Sequence, residues 1–342
     1  MKLQSIIESH WYTKFDPFLG IILFPFSLIY EAIVRIRKFL FKIKLKSSTR
    51  LPVPVVIIGN ISVGGAGKTP LTKALAEELV SKGINVGIVL RGYKSKNKNA
   101  KIVAADDNST NVGDEALIYA QNGFKAAIGS KRAEAGKLLL ATYPETQVIL
   151  ADDGMQHYYL QRDLEICVID SSRLLGNQQL LPAGPLREPV SRLNSVDFIV
   201  VNGSQNQTQL ENILSKYKIP IINQELDFEC LYNPISGKSV SAQELNNLKL
   251  LPMAAIGNPQ RFYAYLRDLG IKFDKVKSLP DHHHYQESDI PAGYTIITTE
   301  KDYTKLSTFN NPNIWVAKVK AKLNNESIIT AILGKINQKA KD

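Results

Sequence analysis

A phosphate-binding loop is predicted at residues 62–69, which read Ser62-Val63-Gly64-Gly65-Ala66-Gly67-Lys68-Thr69. Glycines let backbone N–H groups turn towards phosphate oxygens, and the helix that follows such a loop points its free N–H groups at the same place. Lys68 would reach the β- and γ-phosphates of a nucleotide, and the Thr69 hydroxyl would bind Mg²⁺. The usual pattern starts with glycine, and this segment starts with Ser62. The alternative is a glycine-rich turn that carries a surface lysine.

Two adjacent carboxylates, Asp152 and Asp153, close an apolar segment at residues 148–151. In open parallel sheets, ligands bind beyond the carboxyl ends of the strands, and a carboxylate at such an end holds Mg²⁺ directly or through water. An acidic residue that ends a strand can also be a helix cap or part of a solvated turn. The phosphate loop in the same chain favours the metal-binding interpretation.

Other residues with acid–base chemistry are scattered along the chain. Asp114 opens a predicted helix, where its simplest role is a cap. Residues 282–284 are three histidines, but adjacent side chains point in different directions and no second His/Cys cluster has ligand spacing, so a metal site is not favoured. One histidine beside Asp281 acting as an acid or base is the better hypothesis. His157 either contacts a substrate or packs.

A proline-rich segment at residues 181–189 presents Arg187 and Glu188, which suits either phosphate and Mg²⁺ binding or a structural connection. Residues 298–302 end a predicted strand and are a candidate contact between domains or with a nucleotide. Their lysine, Lys301, falls one place too late for the arrangement that selects guanine, so ATP is favoured over GTP.

Composition limits the classes of function. The chain has 342 residues and a net charge of +10, but the excess is concentrated in seven basic residues within residues 35–50. This local cluster argues against a nucleic-acid surface. Two cysteines, Cys167 and Cys230, provide no disulfide framework and indicate a reducing cytoplasm. No protein partner is evident.

The basic cluster follows an apolar segment. Residues 17–30 carry no charge and are interrupted by Pro25, whereas a spanning helix needs about twenty apolar residues. With aromatic residues such as Trp11 and Tyr30 nearby, the segment is predicted to lie in the membrane surface with its basic residues against anionic headgroups. A helix that packs on the core or binds a partner is the alternative, and full spanning is the less favoured one.

From residue 51 onward, apolar strands alternate with amphipathic helices, which predicts an α/β fold with a parallel sheet. Polar segments near residue 225 suggest an extended linker before a second, smaller α/β unit. The predicted organisation is a membrane-associated segment at 1–50, a P-loop nucleotide-binding domain at 51–225, a linker at 226–248 and a C-terminal domain at 249–342.

Taken together, these motifs resemble the tetraacyldisaccharide 4'-kinase family, the lipid A 4'-kinases of Gram-negative bacteria. The resemblance extends from about residue 52 to 302, and a serine in the first position of the loop is usual in that family. The matching segments are residues 59–70, Arg91-Gly92-Tyr93, Val112-Gly113-Asp114-Glu115, residues 152–157, residues 181–189, Asp281-His282 and Thr299-Glu300-Lys301-Asp302.

The resemblance implies ATP-dependent phosphorylation of the 4'-hydroxyl of a tetraacyl glucosamine disaccharide 1-phosphate, which gives the lipid A precursor lipid IVA. It also implies an enzyme at the cytoplasmic face of the inner membrane. By matching motif, Asp114 would pair with His282 to activate the sugar hydroxyl. Residues Asp152, Asp153 and Glu188 would gather around Mg²⁺, and the substrate contacts would come from Arg91, Tyr93, Arg132 and Arg187.

Two other functions remain open from the sequence. A membrane-associated ATPase of the partitioning type also uses a Gly-Gly phosphate loop, but it needs no base for a sugar hydroxyl. A membrane scaffold with an inactive nucleotide site is disfavoured by the intact Lys68, Thr69 and paired carboxylates.

Overall fold

The structure is a computed structural model that describes residues 2–97 and 99–341, with side chains from residue 6 onward. Within these ranges, thirteen strands form one mixed sheet. The strands are β1 (Val55–Gly59), β2 (Val86–Leu90), β3 (Lys101–Val103), β4 (Lys125–Ile128), β5 (Val148–Asp152), β6 (Leu164–Asp170), β7 (Phe198–Asn202), β8 (Ile221–Tyr232), β9 (Ser239–Val240), β10 (Leu250–Ala254), β11 (Lys277–Ser278), β12 (Thr295–Thr299) and β13 (Ile314–Leu323).

Two parallel blocks make up the sheet. In the first block, the order β8-β7-β6-β1-β5-β2-β4 is parallel throughout, and β3 adds an antiparallel edge. In the second block, β13, β12, β10 and β11 are parallel to one another. The blocks join through the antiparallel pair of β8 and β13, and the register of that pair brings the carboxyl ends of the two blocks to face each other.

Helices cover both faces of the first block, as a buried parallel sheet requires. The α-helices of the described ranges are α1 (Lys2–Tyr12), α2 (Pro17–Lys42), α3 (Lys68–Ser81), α4 (Ser109–Val112), α5 (Asp114–Gln121), α6 (Arg132–Thr142), α7 (Gln207–Leu214), α8 (Pro259–Asp268), α9 (Glu300–Leu306) and α10 (Ser327–Lys339). One apolar cluster packs α3, α5 and α10 against the sheet, and the other packs α6 and α7 against the opposite face.

The N-terminal apolar segment forms a longer helix than its uncharged residues indicate. Helix α2 has 26 residues, with Asp16 accepting hydrogen bonds from the backbone at its start, and it continues through Pro25. A proline inside a helix removes one main-chain hydrogen bond without necessarily ending the helix. By length and composition alone, α2 is apolar and long enough to cross a membrane, which the count of fourteen uncharged residues did not indicate.

The region predicted as a linker contains regular structure. Strand β8 crosses the predicted boundary at residue 225 and continues to Tyr232, and β9 pairs with it. Polar residues alternate with apolar ones along β8, because one face of the strand is exposed. These polar residues made the segment resemble a linker in the sequence. The division into domains at 225 and 249 stays a prediction.

Candidate active site

A cleft of about 1330 Å³ lies between the carboxyl ends of the two parallel blocks. The first block contributes the phosphate loop and the ends of β2 and β5, and the second contributes residues after β10 and β12. Because strands within a parallel block end at the same edge, residues distant in the sequence meet here. The cleft contains the phosphate loop and both adjacent carboxylates, which makes it the natural place for ligands.

The phosphate loop connects β1 to α3, as the sequence predicted. Gly64 and Gly67 adopt φ angles of +104° and +92°, a region that side chains other than glycine rarely adopt. A Cβ on Gly67 would lie 1.9 Å from the Asn202 amide nitrogen, so a side chain there would clash. The Lys68 ammonium lies 3.3 Å from Asn60 Oδ1 and donates a hydrogen bond to it. The loop therefore has the backbone geometry and the cation that phosphate binding requires.

Asp152, the last residue of β5, lies directly beside this loop. Its Oδ2 accepts hydrogen bonds from the Thr69 hydroxyl at 3.3 Å and from the Tyr119 hydroxyl at 2.7 Å. Burial, followed by the negative charge of Glu115, raises the pKa of Asp152 to about 6. A buried carboxylate beside a threonine hydroxyl favours a cation ligand, because a positive charge would stabilise its ionised form.

Asp153 faces two cations. Its carboxylate lies 3.4 Å from Lys68 Nζ and accepts a hydrogen bond from Arg187 at 3.0 Å. Burial alone would raise the pKa of Asp153, but the charges of Lys68, Arg187 and Arg132 outweigh it and hold that pKa well below its usual value. Asp153 is therefore ionised at neutral pH.

These oxygens fit Mg²⁺, which prefers hard oxygen ligands and keeps several waters or substrate phosphate oxygens in its shell. Thr69 and Asp152 are close enough to share a ligand, and Asp153 follows in the chain. Residues 2–97 and 99–341 contain no cluster of three or more His, Cys, Asp or Glu arranged to hold a metal by themselves. The oxygens of Thr69, Asp152 and Asp153 therefore fit a cation whose remaining ligands come from a bound nucleotide.

Asp114 and His282 meet across the cleft, although 168 residues separate them. Asp114 Oδ2 lies 3.0 Å from His282 Nδ1, and Lys305 Nζ lies 3.6 Å from the same oxygen. Burial would raise the pKa of Asp114, but the hydrogen bond with His282 and the charges of Lys301 and Lys305 hold it well below its usual value. An ionised carboxylate only accepts hydrogen bonds, so the neutral His282 ring carries its proton on Nδ1. Its Nε2 is then unprotonated and can accept a hydrogen bond or a proton.

The backbone separates His282 from its neighbours in the histidine run. His282 has a φ angle of +60°, a conformation that is uncommon for residues other than glycine and that costs of order 1–3 kcal/mol. The neighbouring His283 points elsewhere and hydrogen-bonds to Asp289 at 2.8 Å. The surrounding structure holds His282 in a strained conformation, which is typical of functional residues.

A family model described as Tetraacyldisaccharide-1-P 4'-kinase matches residues 19–337. The chain belongs to this family. A curated relative from Chromobacterium violaceum, named Tetraacyldisaccharide 4'-kinase, is 40% identical over 326 residues, which are 94% of this chain and 95% of that protein. A relative of the same name from Shewanella pealeana is 38% identical over 99% of this chain and 100% of its own length.

The fold agrees with the family. A solved structure described as the "apo" form of LpxK from Aquifex aeolicus in complex with ATP has a TM-score of 0.78 and 31% sequence identity, and the match covers 93% of this chain and 99% of that chain. The predicted family, the α/β fold class and the assignment as a kinase are thus confirmed. The partitioning-type ATPase and the inactive scaffold receive no support from these relatives.

Glu188, which the resemblance assigns to the Mg²⁺ site, lies in a network of buried polar side chains. Its carboxylate accepts hydrogen bonds from Gln156 at 3.0 Å and from the Tyr158 hydroxyl at 2.5 Å, and Arg192 Nε lies 3.2 Å from it. Glu188 and Arg192 are almost fully buried. Arg192 also pairs with Glu165 at 2.6 Å, and the assignment of Glu188 to the metal site stays a prediction.

The predicted substrate contacts divide into two kinds. Arg132 is 4% exposed and donates hydrogen bonds to the carbonyls of Asp152 and Asp153, so it supports the carboxylate pair from behind, although it also lines the cleft. Arg187 holds Asp153, as described above. In contrast, Arg91 and Tyr93 are exposed in the cleft, where the Tyr93 ring lies 4.9 Å from the His282 ring.

Arg37 lines the cleft, although the sequence did not predict it as a site residue. It lies on α2, seven residues after Tyr30 and four before Phe41, so the three share a face of the helix. Tyr30 donates a hydrogen bond to the Arg187 carbonyl at 3.1 Å, and Phe41 packs on Tyr159 with ring centroids 4.8 Å apart. In the sequence, Arg37 appears only as one member of the basic cluster at residues 35–50. That cluster was interpreted as a membrane contact, so a cleft position for Arg37 was not predicted.

Two lysines of the second block contact the carboxylates at the start of α5, and one of them, Lys305, was not predicted from the sequence. Lys301 Nζ lies 3.3 Å from Glu115 and 3.5 Å from His282 Nε2, and Lys305 contacts Asp114. Both lysines belong to α9 and their partners Asp114 and Glu115 to α5. The segment 298–302 thus makes the contact between the two blocks that its position at a strand end suggested.

His157 stays neutral and should make the protein sensitive to acid. Its Nε2 accepts a hydrogen bond from the Arg132 backbone N–H at 3.2 Å. Burial first, and then the charges of Arg132, Arg162, Arg37 and Arg91, lower the pKa of His157 to about 3. In the unfolded chain, this histidine has a pKa of about 6.5. Its contribution to the free energy of unfolding is therefore complete above pH 6.5, and it is lost as the pH falls from 6.5 towards 3.

Between pH 7 and pH 5, we expect His157 to account for a loss of roughly 1 kcal/mol in the free energy of unfolding, after allowance for solvent screening of this half-buried ring. Urea unfolding of wild type and His157→Gln at both pH values measures it. The glutamine keeps an acceptor for the Arg132 N–H and does not titrate. Equal losses in the two proteins would contradict the assignment.

Proposed function

We propose that the protein transfers the γ-phosphate of ATP to the 4'-hydroxyl of a tetraacyl glucosamine disaccharide 1-phosphate, giving lipid IVA. The observation that carries this proposal is the pairing of Asp114 with His282 in the same cleft as the phosphate loop. A nucleotide-hydrolysing switch needs no acid–base pair opposite its phosphate loop. A kinase for an alcohol does, because the attacking hydroxyl must lose its proton.

The proton would move through His282. Asp114 accepts the Nδ1–H of His282 and so fixes the ring with Nε2 unprotonated, ready to accept the proton of the sugar hydroxyl. Lys301 Nζ lies 3.5 Å from Nε2, and the sugar hydroxyl would replace it beside that nitrogen. As the hydroxyl oxygen attacks the γ-phosphorus, the bond to the β–γ bridging oxygen breaks and ADP leaves. The imidazolium that forms is stabilised by the Asp114 carboxylate.

The ATP phosphates would bind to the backbone N–H groups of residues 64–69 and to Lys68. Thr69, Asp152 and Asp153 are the residues that would hold Mg²⁺, which when bound neutralises charge on the β- and γ-phosphates. The ATP complex of the Aquifex aeolicus relative supports the nucleotide assignment. Lys68 would exchange its contacts with Asn60 and Asp153 for phosphate oxygens.

An anionic headgroup would explain two arginines in the cleft. Within residues 2–97 and 99–341, the guanidinium groups of Arg37 and Arg91 have neither an ion pair nor a hydrogen bond, and both line the cleft. Arginine without a carboxylate partner is suited to bidentate phosphate binding. We assign these two residues to the 1-phosphate of the substrate, beside Tyr93 and the sugar.

The Arg37 assignment predicts a selective loss. Arg37→Ala should lower kcat/KM for the disaccharide 1-phosphate about tenfold, since a charge-assisted hydrogen bond contributes about 1.5–3 kcal/mol, and should leave KM for ATP unchanged. Arg35→Ala is the matched control, because Arg35 is on the same helix but pairs with Glu31 in solvent. Steady-state kinetics with the substrate and with its 1-dephosphorylated analogue measure the effect. A loss of equal size with both substrates would refute the assignment.

Membrane attachment would come from α2. Ten of its large apolar side chains are exposed, including Phe18, Ile21, Phe26 and Ile33, and its basic residues follow towards the C-terminal end. We propose that α2 inserts its apolar surface into the inner membrane from the cytoplasmic side, so that acyl chains stay in the bilayer while the sugar enters the cleft. Arg37 would then lie at the level of the phosphate headgroups.

The proposed reaction can be tested directly. Purified protein is incubated with γ-labelled ATP, Mg²⁺ and a tetraacyl disaccharide 1-phosphate in detergent, and the product phosphate is located by mass spectrometry and NMR. We expect one new phosphate at the 4' position. Release of labelled phosphate to water without labelled lipid would instead support an ATPase.

A further inference from the structure

The first helix docks on the proline-rich loop at residues 181–189. Trp11 Nε1 donates a hydrogen bond to the Pro182 carbonyl at 3.0 Å, and His10 Nε2 lies 3.1 Å from the Ala183 carbonyl oxygen. His10 is only 2% exposed, although it lies near the N-terminus. Helix α1 is therefore held in a defined position rather than serving as a loose leader to α2.

The next residue, Tyr12, reaches the phosphate loop itself. Its hydroxyl donates a hydrogen bond to the Val63 carbonyl at 3.1 Å, between Ser62 and Gly64. On the opposite side, the Val63 N–H donates to the Pro185 carbonyl at 2.8 Å. The main chain of Val63 is thus held by α1 on one side and by the proline-rich loop on the other.

The ring of Tyr12 has a second contact at the same place. The Arg173 guanidinium lies over this ring, 4.8 Å from its centroid, a distance suited to a cation–π interaction. A Cβ on Gly64 would come within 3.4 Å of Arg173 Nη1, so the guanidinium lies against the phosphate loop. In the part of the chain that the structure describes, no carboxylate forms an ion pair with Arg173. Tyr12 therefore holds both a carbonyl of the loop and a cation beside it.

We propose that Tyr12 is a positioning residue for the nucleotide: it fixes residues 62–64 of the phosphate loop through the Val63 carbonyl and through Arg173. The inference rests on the proposed nucleotide site and adds α1 to it. Glycine-rich loops have large conformational freedom, and a loop that is not held in its binding conformation must be ordered when the ligand binds. The hydroxyl of Tyr12 reduces that cost in advance.

The coupling is reciprocal. If docking of α1 strengthens nucleotide binding, a bound nucleotide strengthens docking of α1 by the same free energy. Because α2 follows α1 after four residues, the segment that carries the apolar surface and the nucleotide site are energetically linked.

The test uses the full-length protein in detergent and binding of a non-hydrolysable ATP analogue with Mg²⁺, measured by calorimetry. Tyr12→Phe keeps the ring and its packing but removes the hydroxyl, and we expect Kd to rise roughly three- to tenfold, in line with the loss of one hydrogen bond. KM for the lipid should not change. Arg173→Met should weaken binding in the same direction, because it removes the cation beside Gly64.

Tyr217→Phe is the matched control. The Tyr217 hydroxyl also donates to a main-chain carbonyl, that of Val190 at 3.2 Å, outside the phosphate loop, and its loss should leave Kd unchanged. If Tyr12→Phe lowers Tm but leaves Kd at the wild-type value, the role is structural and the inference is wrong. Lys68→Ala is measured alongside: unchanged analogue binding in that variant would overturn the nucleotide site itself, independently of Tyr12.

Discussion

Replacing His282 with asparagine is expected to lower kcat about 10²- to 10⁴-fold, the usual contribution of a positioned general base. Asparagine tolerates the positive φ angle of this position better than alanine does, so the variant separates loss of the base from backbone strain. Nucleotide binding should stay within about twofold of wild type, because Lys68 and the loop are untouched. Rapid-quench measurement of labelled lipid under saturating ATP gives the rate of transfer.

The histidine run supplies the control for this experiment. His283→Ala removes the adjacent ring, which pairs with Asp289 and not with Asp114, and should leave kcat near the wild-type value. Asp114→Asn should lower kcat to a similar extent as His282→Asn, and the double variant should lose little more, because the two residues act as one unit. Wild-type transfer by His282→Asn would show that another group takes the proton.

Replacing Lys68 with alanine is expected to lower phosphate transfer about 10³-fold or more and to weaken ATP binding. A single neutral donor at a developing charge contributes about 10²–10³ in kcat, and Lys68 adds a full positive charge in a site shared with Asp152 and Asp153. The loss leaves Asp153 facing the phosphates with one cation fewer, which increases repulsion. Steady-state kinetics and analogue binding measure the two effects separately.

Lys82→Ala is the matched control for Lys68. Lys82 caps the C-terminal end of the same helix, α3, where it pairs with Glu78 near solvent. The Lys82→Ala variant should transfer phosphate at the wild-type rate. Lys68→Arg keeps the charge but presents a planar, longer head, and we expect it to restore little activity. Lipid phosphorylation at the wild-type rate by Lys68→Ala would contradict the mechanism proposed here.

The chemistry within single segments was readable from the sequence. The phosphate loop, its strand and its helix lie within residues 55–81, so their spacing alone predicts a phosphate site. Asp152 and Asp153 were predictable for the same reason, since a buried strand ends directly at them. Alternation of apolar strands and amphipathic helices likewise indicated the parallel sheet, because burial on both faces demands continuous apolar strands.

Pairings between distant segments were not readable in this way. From the residues alone, Asp114 was most simply a helix cap, and only the resemblance to a family suggested His282 as its partner. Their contact depends on how β8 and β13 join the two blocks, and the polar face of β8 had looked like a linker. The sequence carries no local signal for such a contact, since strand register depends on the packing of the whole sheet.

The sequence by itself determined the family, the phosphate loop and the carboxylates that follow β5, because each depends on residues that are neighbours in the chain. Only the tertiary structure decided that Glu188 pairs with Arg192, that Arg37 faces the cleft, and that Tyr12 hydrogen-bonds to the phosphate loop. A charged or polar side chain takes its role from the partner it meets when it leaves water. Those partners come from segments that only the fold brings together.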